Sequence, residues 1–114
     1  MSAGPHIPPA EALVLRSLIE PTARGIASRI LAKTEGGNLT LFAFDAGEGL
    51  SAHTSPFDAF VMVLEGALTL TVGGVPVNAT PGTIVALPAN VTHSVDAVEP
   101  SRMLLTMFKG QAGA

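Results

Sequence analysis

The sequence predicts an all-β domain, an antiparallel β-barrel or sandwich, and three observations carry that expectation. From Gly25 onward, short apolar-rich segments are separated by turn residues, with no helical periodicity between them. Gly73-Gly74 stands between two strand-like runs, which is a strong signal for a tight hairpin. The chain is 47% hydrophobic and only 13% charged, so its 114 residues can bury a sizeable core, in one domain with no room for a second.

The elements follow in order. Residues 1–9 hold three prolines and one glycine and read as a tail. Ala10–Glu20 is expected as a short helix, because Val14 and Leu18, like Leu15 and Ile19, recur at helical spacing and Pro21 closes the segment. A strand over Leu13–Glu20 is the alternative. Strands are then expected over Ile26–Lys33, Leu39–Phe44, Leu50–Thr54, Ala59–Leu64, Ala67–Val72, Val75–Ala79, Thr83–Leu87, Val91–Val98 and Arg102–Lys109. The turns between them carry Gly36-Gly37, Gly47, Gly66, Pro81-Gly82 and Pro88-Ala89-Asn90. On this reading, residues 1–24 are a tail and arm, 25–109 the barrel and 110–114 a C-terminal tail.

Ala59–Leu64 is apolar at six consecutive positions, so both faces of that strand need cover. The interior covers one face; the N-terminal arm or a second subunit must cover the other, and a homodimer is the expectation.

Composition narrows the function classes. There is no cysteine, which excludes disulfides, thiolate catalysis and thiolate metal sites. The net charge is −3, and Arg16, Arg24, Arg29, Lys33, Arg102 and Lys109 all lie toward the two ends. From Thr34 to Ser101 there is no Lys or Arg, so the basic stripe that nucleic-acid binding requires is missing. No apolar run reaches the roughly 18 residues of a membrane helix. Met1–Pro9 does not have the pattern of a secretory signal, and a cytoplasmic location is expected. No glycine run leads from a strand into a helix start, which removes phosphate-binding loops, and no serine sits in a nucleophile elbow.

What remains is a pair of histidines, His53 and His93, each in a similar apolar setting beside a turn. Their surroundings resemble the cupin superfamily, whose two motifs are matched in part. In the first motif Gly47, His53 and Gly66 hold their places, while Ser55 stands where a second histidine belongs and Ala59 where a glutamate belongs. In the second, Gly82, Pro88 and His93 match, with Asn90 in place of a glycine and Ala97 in place of an asparagine. The gap of 15 residues between Gly66 and Gly82 is that of small single-domain bacterial members. The resemblance spans about residues 40–109.

The resemblance implies a jelly roll and a divalent metal (Zn, Fe, Ni or Mn) held inside it, with His53 and His93 as the ligands that carry over. Two imidazoles alone make a weak site, since catalytic zinc takes three protein ligands and the non-haem iron triad two histidines and a carboxylate. Ser55 keeps the inward parity of the missing histidine and can hold a water or a ligand oxygen. Asp58, one position from Ala59, points to the opposite face unless a bulge at Pro56-Phe57 turns it inward. Asp96, at odd spacing from His93, is expected to face away, and His6 in the tail to be solvated. The pocket is expected to be small and apolar, lined from among Leu41 or Phe42, Val61, Val63, Leu68, Leu70, Val85, Leu105 and Met107. With no Tyr or Trp in the chain, any acid–base step falls to His53 or His93.

The leading expectation is an interior site through which His53, His93 and Ser55 bind a divalent metal weakly, a small organic molecule, or both. The alternative is a non-catalytic, metal-free binding or sensor module, and a third is a structural dimer without a ligand. Were it an enzyme, the resemblance implies a metal-assisted oxygenase or isomerase.

Overall fold

The computed structural model describes residues 7–110. His6 lies outside the described residues.

Among the described residues nine strands form, all pairing antiparallel: β1 (Ile26–Thr34), β2 (Gly37–Phe44), β3 (Gly49–His53), β4 (Asp58–Glu65), β5 (Leu68–Val72), β6 (Val75–Ala79), β7 (Ile84–Leu87), β8 (His93–Ala97) and β9 (Ser101–Phe108). They make two sheets, ordered β1-β2-β9-β4-β7 and β3-β8-β5-β6. The chain crosses repeatedly from one sheet to the other, which is jelly-roll topology. The barrel form of the expectation is corrected in one respect: no strand of one sheet pairs with a strand of the other, so the hydrogen bonding does not close. Part of the reason lies in β6, where Pro76 has no N–H to give a further neighbour and holds the strand at an edge.

Alternation with period two sorts the side chains. Phe44, Ala59, Val61, Val63, Leu68, Leu70, Leu87, Val95 and Met103 meet between the sheets as the main core. A second cluster lies on the outer face of the larger sheet, where Leu31, Leu41, Ala43 and Leu104 pack with Ile19, and Leu15, Leu18, Met62 and Leu64 join them. The N-terminal arm therefore covers part of the outward face of β4, one of the two possibilities the apolar run left open.

The arm itself differs from expectation. Instead of a helix over Ala10–Glu20 there is one 3-10 turn, Leu15–Leu18, with Val14 before it offering no side-chain cap. Val14 is extended at ψ 109° and Ile19 at φ −151°, so neither flank continues the turn. Tertiary contacts hold it in place. Arg29 Nη1 donates to the Leu18 carbonyl (3.0 Å) and Arg102 Nε to that of Ile19 (2.9 Å). The Arg102 guanidinium, only 12% exposed, also pairs with Glu65 and with Glu20.

At the end of β4 the chain turns through Gly66 at φ +87°, where a Cβ would lie 2.4 Å from the Pro100 carbonyl oxygen. Beside it, the fully buried Ser101 hydroxyl accepts from the Ala67 amide (3.0 Å). No helix among the described residues is long and apolar enough to cross a membrane.

Arg102→Ala is expected to lower the unfolding free energy by ~2 kcal/mol in urea titrations, since it strips a shielded charge–hydrogen-bond hub. Glu20→Gln should cost less than ~1 kcal/mol, because the Glu20 side chain is 79% exposed. Equal losses would contradict the assignment of the hub to Arg102. Gly66→Ala should destabilise by more than ~1 kcal/mol, as both the left-handed backbone and the Pro100 contact oppose a side chain.

Candidate functional site

His53 ends β3 and His93 begins β8, and the two are direct cross-strand partners. The register that joins them is irregular. Leu50 pairs with Val95 and His53 with His93, so three residues of β3 advance against two of β8. Strict alternation from the inward Leu50 would have turned Ala52 to the interior and His53 away from it. The extra residue is a bulge, and it re-aims His53 to the face that carries His93 and Val95. The ring centroids end 4.5 Å apart, edge to face at 69°.

Each ring is oriented by the backbone two residues before it. His53 Nδ1 lies 2.9 Å from the Ser51 carbonyl and His93 Nδ1 3.2 Å from that of Val91. A carbonyl oxygen only accepts, so in each neutral ring Nδ1 holds the proton and Nε2 keeps its lone pair. His53 is exposed and His93 is 7% exposed. Burial pushes the His93 imidazole below its ordinary 6.5; the Val91 carbonyl partly offsets this, and His53 beside it lowers it further. The inner ring is thus held neutral, as a ligand for an electron-pair acceptor must be.

The rings open onto a cavity of about 50 Å³ lined by Leu50, His53, Ser55, Ala59, Val61, Leu87, His93, Val95, Met103, Leu105 and Met107. A water needs roughly 10–15 Å³ of such volume, so the space suits an ion or a few atoms and not a drug-sized molecule. None of these residues is Asp, Glu, Lys or Arg. Val61, Leu105 and Met107 line it as the sequence suggests. Val63, Leu68, Leu70, Phe42 and Val85 belong to the surrounding core, and Leu41 to the outer cluster. Leu50, Leu87, Val95 and Met103 were not singled out from sequence. Val95 carried a usable signal, two residues from His93 and so on its face.

Ser55 lies at the cavity, its Oγ accepting from the Phe57 amide (3.3 Å) and its carbonyl from the Asn90 amide (2.7 Å). Its hydroxyl proton can still be offered to a ligand. Asp58 is elsewhere: it pairs across from Phe108, is exposed, and its carboxylate accepts from the Ala89 amide at 2.8 Å. Its role is to fasten the Pro88-Ala89-Asn90 turn. Asp96 is exposed and pairs with Gly49 and Thr69. Asn90 adopts φ 65°, a left-handed backbone that Asn tolerates better than most residues, so the turn before His93 forms without glycine.

Among the described residues, no three His, Asp or Glu side chains gather where one ion could bridge them. The donors present therefore do not fit a divalent centre of three histidines and a glutamate; two of the four are here, with Ser55 and Ala59 in the other places.

Residues 40–108 match the sequence profile of the cupin domain. A conserved protein of unknown function from Streptococcus pyogenes superposes with a TM-score of 0.89 at 30% identity, covering 98% of both chains. A cupin superfamily protein from Desulfitobacterium hafniense gives 0.85 at 25% identity over 90% of this chain and 94% of its own. A cupin 2 conserved barrel domain protein from Leptotrichia buccalis gives 0.79 at 34% identity over 82% of this chain and 46% of its own. Among curated proteins none matches. With the matched profile spanning both histidines and both sheets, the chain belongs to the cupin family.

Proposed function

We propose that this cupin-domain protein is a small binding module whose working groups are the Nε2 atoms of His53 and His93, which take a divalent metal ion weakly. The observation that supports this most is the pairing of two imidazoles across a bulge, each with Nδ1 committed to a backbone carbonyl and Nε2 left free. The Ser55 hydroxyl extends the site by one hydrogen-bond donor toward a water or a ligand oxygen. The lining supplies no carboxylate base or acid and no cation for an anionic substrate. Binding, not turnover, is what these residues are equipped for.

The homodimer is part of the same proposal. The arm leaves the Phe60–Phe108 pair (ring centroids 5.8 Å apart) uncovered on the outer face, with Ile84 60% and Phe108 54% exposed. These lie on adjacent strands β7, β4 and β9, and a second copy of this face would cover them.

Zinc titrated into tag-free protein should bind once per chain with a dissociation constant of ~10 μM or weaker, as two imidazoles supply an incomplete shell. The 15N resonances of both Nε2 atoms should shift, and His53→Ala or His93→Ala should abolish binding. Unshifted resonances in excess zinc would overturn the reading.

In chelator-treated protein the depressed His93 value has a definite sign. The unfolded chain takes up the proton first as pH falls below 6.5, so folded-state stability decreases through that range until the folded ring also titrates. Urea midpoints measured against pH should fall on acidification, and less steeply in His93→Gln; a midpoint that rises would contradict the assigned neutral state.

Light scattering at micromolar concentration should give a dimer, and Ile84→Asp a monomer. A monomeric parent protein would remove the interface.

A further inference from the structure

The cavity has a chemical character that its histidines alone do not convey. Two of its lining residues, Met103 and Met107, carry thioether sulfur, and no lining residue carries a carboxylate. Every donor available to an ion is then neutral. The energy of taking an ion out of water grows with the square of its charge, so a divalent ion in this apolar setting faces about four times the penalty of a monovalent one, with no anion to offset it. Thioether is a soft donor and imidazole a borderline one, and a neutral set of the two suits Cu(I).

The two methionines are not equivalent. They are four residues apart on the inner face of β9, about 13 Å along the strand, so one ion near the histidines is reached by one backbone position and not both. Met107 pairs with Ala59, at the start of β4 and four residues past Ser55, the end of the strand nearest the histidine pair. Met103 pairs with Val63, toward the opposite end of β4. Ala59 presents only a methyl group opposite Met107, which leaves room for the flexible methionine side chain to move over it. Met107 is half-buried, between the cavity and the groove beside Gly37 and Phe108, whereas Met103 is 1% exposed in the packed core.

We propose that the site is a monovalent copper site, with Cu(I) held by Nε2 of His53 and His93 and by the sulfur of Met107. The inference rests on the histidine-pair reading above and deepens it by naming the metal and the third ligand.

The test uses the full tag-free chain in anaerobic buffer with ascorbate. Cu(I) is offered as its bathocuproine disulfonate complex, and zinc is titrated in parallel. One Cu(I) per chain should leave the competitor, and X-ray absorption should show one sulfur beside two nitrogen neighbours. Met107→Leu should lose the sulfur scatterer and weaken Cu(I) binding by at least about tenfold while changing zinc binding by less than about twofold, a split expected of a soft ligand and not of a packing residue. Met103→Leu should keep the sulfur scatterer, so the parent and this variant decide the matter even if Met107→Leu folds poorly. Zinc binding with all copper left on the competitor would overturn the copper site and leave the weak divalent site standing. Failure to bind either metal would remove both. Copper bound without a sulfur neighbour would overturn the role of Met107.

Discussion

The one residue that β3 holds in excess of β8, between Leu50 and His53, is the constraint from which the site follows. Side chains on a strand alternate, and Leu50 must face the core because it packs against it. Without the bulge, His53 would then face outward and His93 would stand alone on the inner wall. With it, the two imidazoles oppose each other, and each ring is oriented by the carbonyl two residues before it in the chain. The bulge costs ladder hydrogen bonds in β3 and brings both imidazoles to the lining of one cavity.

The remainder of the fold keeps that cavity small. The two sheets close on each other through branched aliphatic side chains, and the turn that delivers His93 is tied from both sides. Asp58 binds the amide of Ala89, and the Ser55 carbonyl binds that of Asn90. The segment that precedes β4 and the segment that precedes β8 are thus fastened to each other, next to the histidines. On the outer face, Arg102 and Arg29 hold the carbonyls of the arm, which fills the side of β4 that the interior cannot reach. The acidic residues are spent on these fastenings or face solvent, and the cavity is left with neutral donors only.

Much of the architecture was legible in the chain. All nine strands are where turn residues and alternation place them, because glycine at left-handed positions and proline at edges act locally. The two-motif resemblance held as well, since Gly66 meets the Pro100 carbonyl too closely for any side chain and Asn90 takes up the left-handed backbone that glycine would otherwise supply. The arm was misjudged: its helical spacing produced a single 3-10 turn, because Leu15, Leu18 and Ile19 are placed by the outer cluster and two arginines, not by local propensity.

The sequence by itself determined the strand pattern, the family, the neutrality of the interior and the absence of thiolate chemistry, since each depends on residue type and near spacing. Only the tertiary structure decided that His53 faces His93 and that Asp58 serves a turn. Those depend on register between strands, which a bulge of one residue inverts and which no local pattern in this chain announces.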